Sequence, residues 1–274
     1  MKPAAFDYLS AETRDEVLAA LAQAGADARI ISGGQSLMPM LNMRLARPKL
    51  LIDIMRIAPL ERIDEAKGEV VVGAGVRQAQ LLGWDSLKAK IPLVAQALPW
   101  TGHAQTRSCG TVCGSIAHAD PSAELPLCLI ALRGAVHLRS AKAKRRVAAD
   151  DYITGMMNTA RSDDEMIEAV SFPIVPGRGH GFREVARRHG DFALVACAAI
   201  VDASSIRLAI GGVSDRPEAR DWPRLEGSAL DDALNAFAYE VDARTDTHAT
   251  ARYRRELVRR VGRQVIEEAT QCLG

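Results

Sequence analysis

Two stretches rich in glycine carry the residue types that could bind a ligand. The first, "IISGGQSL" at residues 30–37, places Gly33 and Gly34 between Ser32 and Ser36, directly after a short apolar run. Glycines allow backbone N–H groups to approach a phosphate closely, and the serine and glutamine side chains add hydrogen-bonding groups. A plain turn after a strand has the same composition. Because no Gly-Lys-Ser/Thr follows, a nucleoside-triphosphate loop is excluded.

The second stretch, "CGTVCGSIAHADPSAE" at residues 109–124, mixes glycines with neutral and charged polar residues, among them Thr111, His118, Asp120 and Glu124. This mixture suits a sugar-alcohol chain or a diphosphate better than a metal ion. The two stretches begin about 80 residues apart. Together they favour one long ligand that is held at two places.

Catalytic and nucleotide-fold interpretations of the same residues are weaker. His118 with Asp120 could act as an acid–base pair and Cys113 as a nucleophile, but no partners occur at the spacing of a triad. A cysteine among small residues is usually a packing residue. Gly73 begins a G-x-G pattern, but Gln78 stands where a dinucleotide fingerprint has its third glycine. We therefore predict no catalytic residue and a simple turn after residue 73.

The composition is that of a soluble globular protein. The chain has 274 residues, of which 48% are hydrophobic and 25% charged, and its net charge of +1 gives no reason to expect nucleic-acid binding. The first residues lack the apolar core of a secretory signal, and no run of 18 apolar residues predicts a membrane span. The five cysteines form no paired C-x-x-C clusters. They predict a reducing, cytoplasmic location and no metal site in this chain.

Apolar periodicity places both stretches in a chain of mixed α and β structure. Helices are predicted over 12–25, around 122–132 and over most of 228–273, where the arginines should form a solvated face. The predicted strands are the runs at 28–34, 49–54, 68–76 and 164–175, and a basic hairpin within 134–152. The sequence "PGRGHG" at 176–181 is the predicted linker between two parts.

Four segments resemble the FAD-binding medium subunits of the molybdenum hydroxylases, the xanthine oxidase family. Besides the two glycine-rich stretches, these are "DYITGMMNTARSDDEMIEAVSFP" and "FREVARRHGDFALVACAAIV", so that the resemblance covers nearly the whole chain. The similarity is greatest to medium subunits of carbon monoxide dehydrogenase and of nicotine and nicotinate dehydrogenases. It implies an α+β protein with an FAD-binding fold of the vanillyl-alcohol-oxidase type. That domain would span 1–176, in two subdomains at about 1–56 and 57–176. A small C-terminal domain, 177–274, would carry a three-stranded antiparallel sheet and helices.

The resemblance also implies a set of FAD contacts. The first stretch matches an "AGGxSL" loop that wraps the FAD pyrophosphate, and the second matches a "TIGGN" loop in which cysteine and serine now replace glycine and asparagine. Thr101 falls beside the adenine, Arg161 and Met166 fall against the isoalloxazine ring, and Phe192 stands where a tyrosine is common near the flavin. The implied contact residues are Ile31, Ser32, Gly33, Gly34, Gln35, Ser36, Leu37, Thr101, Gly110, Thr111, Cys113, Gly114, Ser115, His118, Glu124, Arg161, Met166 and Phe192.

The role of Arg161 has two interpretations. A guanidinium near the pyrimidine edge of the flavin would stabilise the negative charge that appears there on reduction. Alternatively, the side chain points into solvent.

The function implied by the resemblance is electron transfer. A large molybdenum–pterin subunit would hydroxylate the substrate, and a small subunit with two [2Fe–2S] clusters would pass electrons to FAD in this chain and on to an external acceptor. A heterotrimer, or a dimer of heterotrimers, is implied. Two alternatives stay open: a self-contained FAD oxidase of the vanillyl-alcohol-oxidase type, and a binding protein with a degenerate flavin site.

Overall fold

The computed structural model describes residues 2–273, and it begins with a small parallel sheet in the order β1-β3-β2. Its strands are β1 Asp7–Ser10, β2 Ala28–Ile31 and β3 Leu50–Asp53. Helix α1, Arg14–Ala24, connects β1 to β2 and is capped by Thr13, whose side chain accepts a hydrogen bond from the Glu16 amide. The first glycine-rich stretch follows β2 and leads into α2, Leu37–Asn42. The predicted first helix and the predicted strands at 28–34 and 49–54 are confirmed as α1, β2 and β3.

A five-stranded antiparallel sheet forms the second part, in the order β4-β5-β10-β6-β7. The strands of this part are β4 Ile63–Ala66, β5 Glu69–Gly73, β6 Ala135–Arg139, β7 Lys144–Ala148 and β10 Met166–Pro173, with a separate pair β8 Ile153–Gly155 and β9 Asn158–Thr159. The basic hairpin is confirmed as β6 and β7. Gly73 lies at the end of β5, where a Cβ atom would come within 2.2 Å of the Leu60 carbonyl oxygen. It therefore serves a close backbone approach.

Short helices fill the connection between β5 and β6 and continue after β7. They are α3 Gln78–Leu82, α4 Leu87–Lys90, α5 Pro92–Ala97, α6 Ala104–Cys109, α7 Val112–His118, α8 Glu124–Ala131 and α9 Ala149–Tyr152. Every residue of α8 is buried, including Glu124 at its first position. This helix packs against α5, α7 and α9 and against the sheet of the C-terminal part of the chain, so that it is covered from both sides.

The C-terminal part is an antiparallel sheet of four strands, β11-β12-β13-β14, covered by two long helices. Its elements are β11 Gly179–Val185, β12 Val195–Val201, β13 Ser205–Gly211, β14 Glu218–Pro223, α10 Gly227–Glu240 and α11 Ala251–Gln271. The predicted α+β class is confirmed, but the prediction of three strands is one too few. The additional strand β14 is an edge strand with no buried residue. An exposed strand does not need the apolar alternation that reveals a strand in a sequence.

Strand β12 is buried on both faces. Ala196, Ala198 and Ile200 pack into the core of the first two parts, whereas Val195 and Cys197 belong to the core formed with α10 and α11. Side chains alternate between the faces of a strand, so the continuous apolar run "VACAAIV" supplies both cores. The C-terminal sheet is thereby held against α8 on one side and its own helices on the other.

The predicted linker at 176–181 is partly wrong, because β11 begins at Gly179. A Cβ atom at Gly179 would lie 1.7 Å from the Ala269 carbonyl oxygen, and one at Gly181 would lie 2.3 Å from the Val265 carbonyl oxygen. These glycines allow α11 to lie directly on the strand. Glycines that permit close helix–strand packing have the same sequence appearance as glycines in a linker.

The arginines of α11 also correct a prediction. Arg254 is buried rather than solvated, with 1% exposure. Its guanidinium donates to the carbonyl oxygens of Leu194 and Gly212 and pairs with Asp246. It thereby anchors the helix to the ends of two strands. None of the helices in residues 2–273 combines the length and apolar character needed to cross a lipid bilayer.

Candidate functional site

The two glycine-rich stretches meet in space, with backbone against backbone. A Cβ atom at Gly33 would lie 2.1 Å from the Cys109 carbonyl oxygen and 2.6 Å from the Gly110 Cα atom. Only glycine fits such an approach. Gly33 therefore joins the first stretch to the second, in addition to opening space for a ligand.

A hydroxyl pair fastens this junction. Ser32 Oγ lies 2.9 Å from Thr111 Oγ1, and Thr111 Oγ1 also accepts a hydrogen bond of 3.0 Å from the Gly114 amide at the start of α7. Gly114 is itself constrained, because a Cβ atom there would lie 2.7 Å from Thr111 Oγ1. The two stretches thus form one continuous wall.

Gly34 has a different role from its neighbour. Its φ angle of +68° is in the left-handed region, which favours glycine. The turn at Gly34 leads directly into α2, where the Met38 amide donates to the Gly34 carbonyl oxygen at 3.0 Å. Gln35 Nε2 closes the loop by donating to the Gly33 carbonyl oxygen, also at 3.0 Å.

An open cavity of about 850 Å³ lies along this wall. The predicted contact residues that line it are Ile31, Ser32, Gly33, Gly34, Gln35, Ser36, Leu37, Thr101, Gly110, Thr111, Cys113, Gly114, Ser115, His118, Glu124, Arg161 and Phe192. Met166 is the exception, because it is fully buried in the core and does not line the cavity. Its neighbour Ile167 does, since adjacent residues of a strand face opposite sides. Met166 is therefore a core residue, and Ile167 is the residue of this strand that faces the cavity.

Arg161 lines one side of the cavity, held by backbone groups. Its Nη1 atom donates to the carbonyl oxygens of Ser162, at 2.7 Å, and Glu165, at 2.8 Å. The turn that carries it is clamped by Arg145, which bonds both carboxylate oxygens of Glu165 at 2.6 and 2.7 Å and the Ala160 carbonyl oxygen at 2.6 Å. The guanidinium is therefore fixed at the cavity wall.

Glu124 and Thr101 are among the buried polar residues of the wall, exposed by only 4% and 8%. Burial raises the pKa of the Glu124 carboxyl to about 7. The Thr101 hydroxyl is buried and has no hydrogen-bond partner within the described residues 2–273. Cys113 also lines the cavity, but burial raises the pKa of its thiol to about 12, which leaves a neutral packing residue.

The segment that carries Phe192 folds onto the region around Thr101. Gly190 has a φ angle of +85°, and a Cβ atom there would lie 2.6 Å from the His103 ring. The ring of His189 lies 5.4 Å from that of Trp100. Phe192 itself is 62% exposed at the edge of the cavity. This arrangement leaves an aromatic ring free at the opening.

Several cavity residues carry no signal in the sequence. They are Arg29, Leu45, Arg47, Met157, Asp163, Ile167 and Asp191. Arg29 lies on β2 and Ile167 on β10, whereas the others come from connections between elements, and only the tertiary structure brings them all to the cavity. Within residues 2–273, no group of three or more histidine, cysteine or acidic side chains is placed to hold a metal ion.

These features fit FAD. The long cavity has two adjoining glycine turns for a diphosphate, small residues that leave the backbone accessible, and uncommitted polar groups such as Thr101 for a sugar-alcohol chain. The fold and the cavity thus define a protein that binds an extended dinucleotide cofactor through backbone groups.

Comparison with known proteins identifies the family. The family described as "FAD binding domain in molybdopterin dehydrogenase" matches residues 4–175, and the chain belongs to this family. Over 98% of its length the chain is 34% identical to the 6-hydroxypseudooxynicotine dehydrogenase complex subunit alpha of Paenarthrobacter nicotinovorans, covering 96% of that protein. It is 32% identical to the carbon monoxide dehydrogenase medium chain of Afipia carboxidovorans, with 98% of each chain covered.

The similarity extends to solved structures. A carbon monoxide dehydrogenase structure from Hydrogenophaga pseudoflava matches with a TM-score of 0.95 and 28% identity, covering 100% of both chains. The predicted family, the FAD cofactor and the medium-subunit function are confirmed. The self-contained oxidase is less supported than the medium-subunit function, because the relatives include a subunit of a dehydrogenase complex and the medium subunits of a nicotine 6-hydroxylase and of a carbon monoxide dehydrogenase.

Proposed function

We propose that this chain binds FAD in the cavity at the joined glycine stretches and transfers electrons within a molybdenum hydroxylase complex. The observation that carries the proposal is the contact between Gly33 and Gly110, which unites two distant stretches into one backbone cradle. When bound, FAD supplies a centre that accepts and passes on one or two electrons.

The residues of the cavity divide the binding task by chemistry. Backbone amides of residues 32–37, with those of Thr111 and Cys113, hold the diphosphate as uncharged donors, because the amides of Val112, Gly114 and Ser115 already donate within the protein. Glu124 and Thr101 supply polar groups to the remainder of the cofactor. Ile167 provides an apolar surface and Arg161 a fixed positive charge at the opposite side.

The partners follow from the class of complex to which the relatives belong. A large molybdenum–pterin subunit carries out the substrate chemistry, and a small iron–sulfur subunit delivers electrons to FAD. The chain divides near residue 176 into the FAD-binding part, in two subdomains, and a C-terminal part that is packed on α8. A cytoplasmic location agrees with five cysteines that all remain unpaired.

The test is the flavin content of the purified full chain. We expect one FAD per chain, released in full by acid precipitation, because the cradle holds the cofactor through hydrogen bonds. Flavin that stays with the precipitate would indicate a covalent link and favour an oxidase. A chain that neither retains nor rebinds FAD would contradict the proposal.

A further inference from the structure

A buried carboxyl group on the C-terminal sheet has no hydrogen-bond partner among residues 2–273. Glu184, on β11, is 9% exposed, and both of its carboxylate oxygens are buried and lack a hydrogen-bond partner. The nearby amide of Gln96 donates to the His180 carbonyl oxygen of the same strand. Nothing in the established fold or in the cavity contacts uses the carboxyl of Glu184.

A second buried carboxyl, Glu124, forms part of the cavity wall and begins the helix that packs on this sheet. Across the sheet Glu184 is in register with Ala196, and Ala196 with Gly211, next to the Gly212 amide that donates to the Pro121 carbonyl oxygen, three residues before Glu124. The charge of Glu124 is the one that acts on Glu184. The other charges acting on Glu124 are those of Asp120 and Arg107. One guanidinium nitrogen of Arg107 donates to three backbone carbonyl oxygens, those of Pro99, Thr101 and Gly102, so it is not a dedicated counterion for either carboxyl.

Two carboxyl groups in this environment favour their neutral forms. An ionised carboxylate that is buried without a partner is strongly unfavourable, and a second negative charge nearby makes it more so. Burial raises the pKa of Glu184 to about 8, with the charge of Glu124 adding to the shift, and burial raises that of Glu124 to about 7. Because the groups interact, protons leave the pair in steps that belong to both residues.

We propose that Glu124 and Glu184 form an acid pair that must hold its protons for FAD to bind, with Glu124 as the hydrogen-bond donor to FAD and Glu184 as a positioning residue behind it. The inference rests on the proposed placement of FAD in the cavity. A protonated Glu124 donates a hydrogen bond to an acceptor oxygen of the cofactor, whereas its carboxylate has no proton to donate and would add a negative charge to a cavity that holds an anionic cofactor. Ionised Glu184 would place another negative charge in the same wall.

The direction of the pH dependence follows from this linkage. FAD binds the protonated pair, so affinity is greatest below the titration of the pair and falls as the pH rises through it. Loss of one linked proton raises the dissociation constant by up to about tenfold per pH unit, and loss of two raises it by up to about a hundredfold per unit. A profile that steepens above about pH 8 would report the second carboxyl.

The experiment is a titration of the apo full chain with FAD from about pH 5.5 to pH 9 at constant ionic strength, followed by quenching of flavin fluorescence. In the unaltered chain we expect the dissociation constant to be level at low pH and to rise above about pH 7, most steeply above about pH 8. Glu124→Gln keeps a donor and should bind FAD with a nearly level profile up to about pH 8. In Glu184→Gln the dissociation constant should still rise above about pH 7, but it should not rise more steeply above about pH 8.

Two control variants isolate the pair. Glu226→Gln replaces an exposed glutamate far from the cavity and should reproduce the unaltered profile. His118 is the histidine in the cavity wall, so His118→Gln shows whether any rise survives without the imidazole. The carboxylic-acid C=O band in the infrared spectrum near neutral pH should weaken in both pair variants. Circular dichroism of each variant checks the fold.

The outcomes are distinct. A level profile in the unaltered chain would overturn the acid pair while leaving FAD binding in place. A full pH dependence of FAD affinity in Glu124→Gln would also overturn the acid pair. So would a dissociation constant that no longer rises with pH in His118→Gln. Failure to bind FAD at any pH would instead contradict the proposed function.

Discussion

Gly33 and Gly34 are adjacent in the sequence, but the structure gives them different tasks. Gly33 lies against the backbone of the second stretch, whereas Gly34 needs a left-handed φ angle and has only side-chain atoms near its Cβ position, the closest being Met38 Cγ at 3.2 Å. The first residue should therefore matter for the junction itself, and the second for the path of the loop.

The Gly33→Ala variant tests the junction. Its new methyl group must push the Cys109 carbonyl away, so we expect loss of FAD together with a destabilisation of about 1–3 kcal/mol, the usual cost of overpacking. Hydrogen exchange of the amides at 110–115 should become faster. Gly83→Ala is the matched control, because its Cβ atom would make an ordinary contact of 3.4 Å. Full FAD retention in Gly33→Ala would show that the two stretches do not need to touch.

The Gly34→Val variant tests the loop path. A β-branched residue resists the left-handed conformation and would obstruct access to the backbone amides. We expect FAD retention to be lost while exchange at 110–115 stays as in the unaltered chain, because the junction is preserved. Flavin absorbance of the purified variant measures this directly. A variant that purifies with full flavin content would refute the diphosphate assignment.

Arg161 is the residue-scale candidate for tuning the flavin. Its guanidinium is fixed at the cavity wall by two carbonyl oxygens. If it faces the pyrimidine edge of the flavin, Arg161→Leu should lower the two-electron midpoint potential by tens of millivolts, since 30 mV corresponds to about 1.4 kcal/mol. Spectroelectrochemical titration measures the shift, with Arg260→Leu on α11 as a distant control. An unchanged potential with FAD bound would mean that Arg161 has no redox role.

At the scale of elements, the hairpin β6–β7 supports the cavity through one clamp. Arg145 on β7 holds Glu165, whose carboxylate also accepts the Ser162 amide at 2.8 Å, so the turn that carries Arg161 is anchored to the hairpin. Another ion pair of the hairpin, Arg146 with Glu69, includes no residue that lines the cavity. The two pairs offer a comparison within one element.

The Glu165→Gln variant should release this turn. We expect weaker FAD binding and a loss of about 1–3 kcal/mol of stability, because a charged, two-pronged hydrogen bond is removed. The hydrogen bond from Arg145 lowers the pKa of Glu165, so its stabilisation is present above the ordinary carboxyl pKa and is lost as the pH falls through the lowered value. Glu69→Gln should leave FAD affinity unchanged. Urea unfolding at neutral and acidic pH measures both variants. Equal effects of the two variants on FAD affinity would argue against the clamp.

The elements also show how much of the fold can be predicted from the sequence. Apolar runs and caps predicted α1, the strands on either side of the first stretch, and the basic hairpin, because each has a local pattern. The edge strand β14 has no such pattern, and the glycines of β11 resemble a linker because their requirement comes from α11, far along the chain. The site was predicted where a motif lies in one segment, and missed where single residues such as Arg29 on β2 or Ile167 on β10 face the cavity without belonging to a motif.

At the scale of the whole molecule, the C-terminal sheet and the FAD-binding part share one core. The face of β12 that carries Ala196 and Ala198 is packed with the residues of α8, and Glu184 lies on the neighbouring strand. The wall of the cavity is therefore supported from behind by the C-terminal part. The dependence of the cavity wall on the C-terminal part cannot be predicted from a sequence divided at residue 176, because the contacts join residues that are far apart along the chain.

The central claim is that FAD in this chain receives electrons from an iron–sulfur partner and not directly from an organic substrate. The most direct measurement is anaerobic stopped-flow absorbance of the flavin in the FAD-loaded chain. We expect rapid bleaching when the chain is mixed with its chemically reduced iron–sulfur subunit, and no bleaching when it is mixed alone with N-heterocycles, aldehydes or carbon monoxide. Bleaching by one of these compounds in the isolated chain, with none from the reduced partner, would contradict the account.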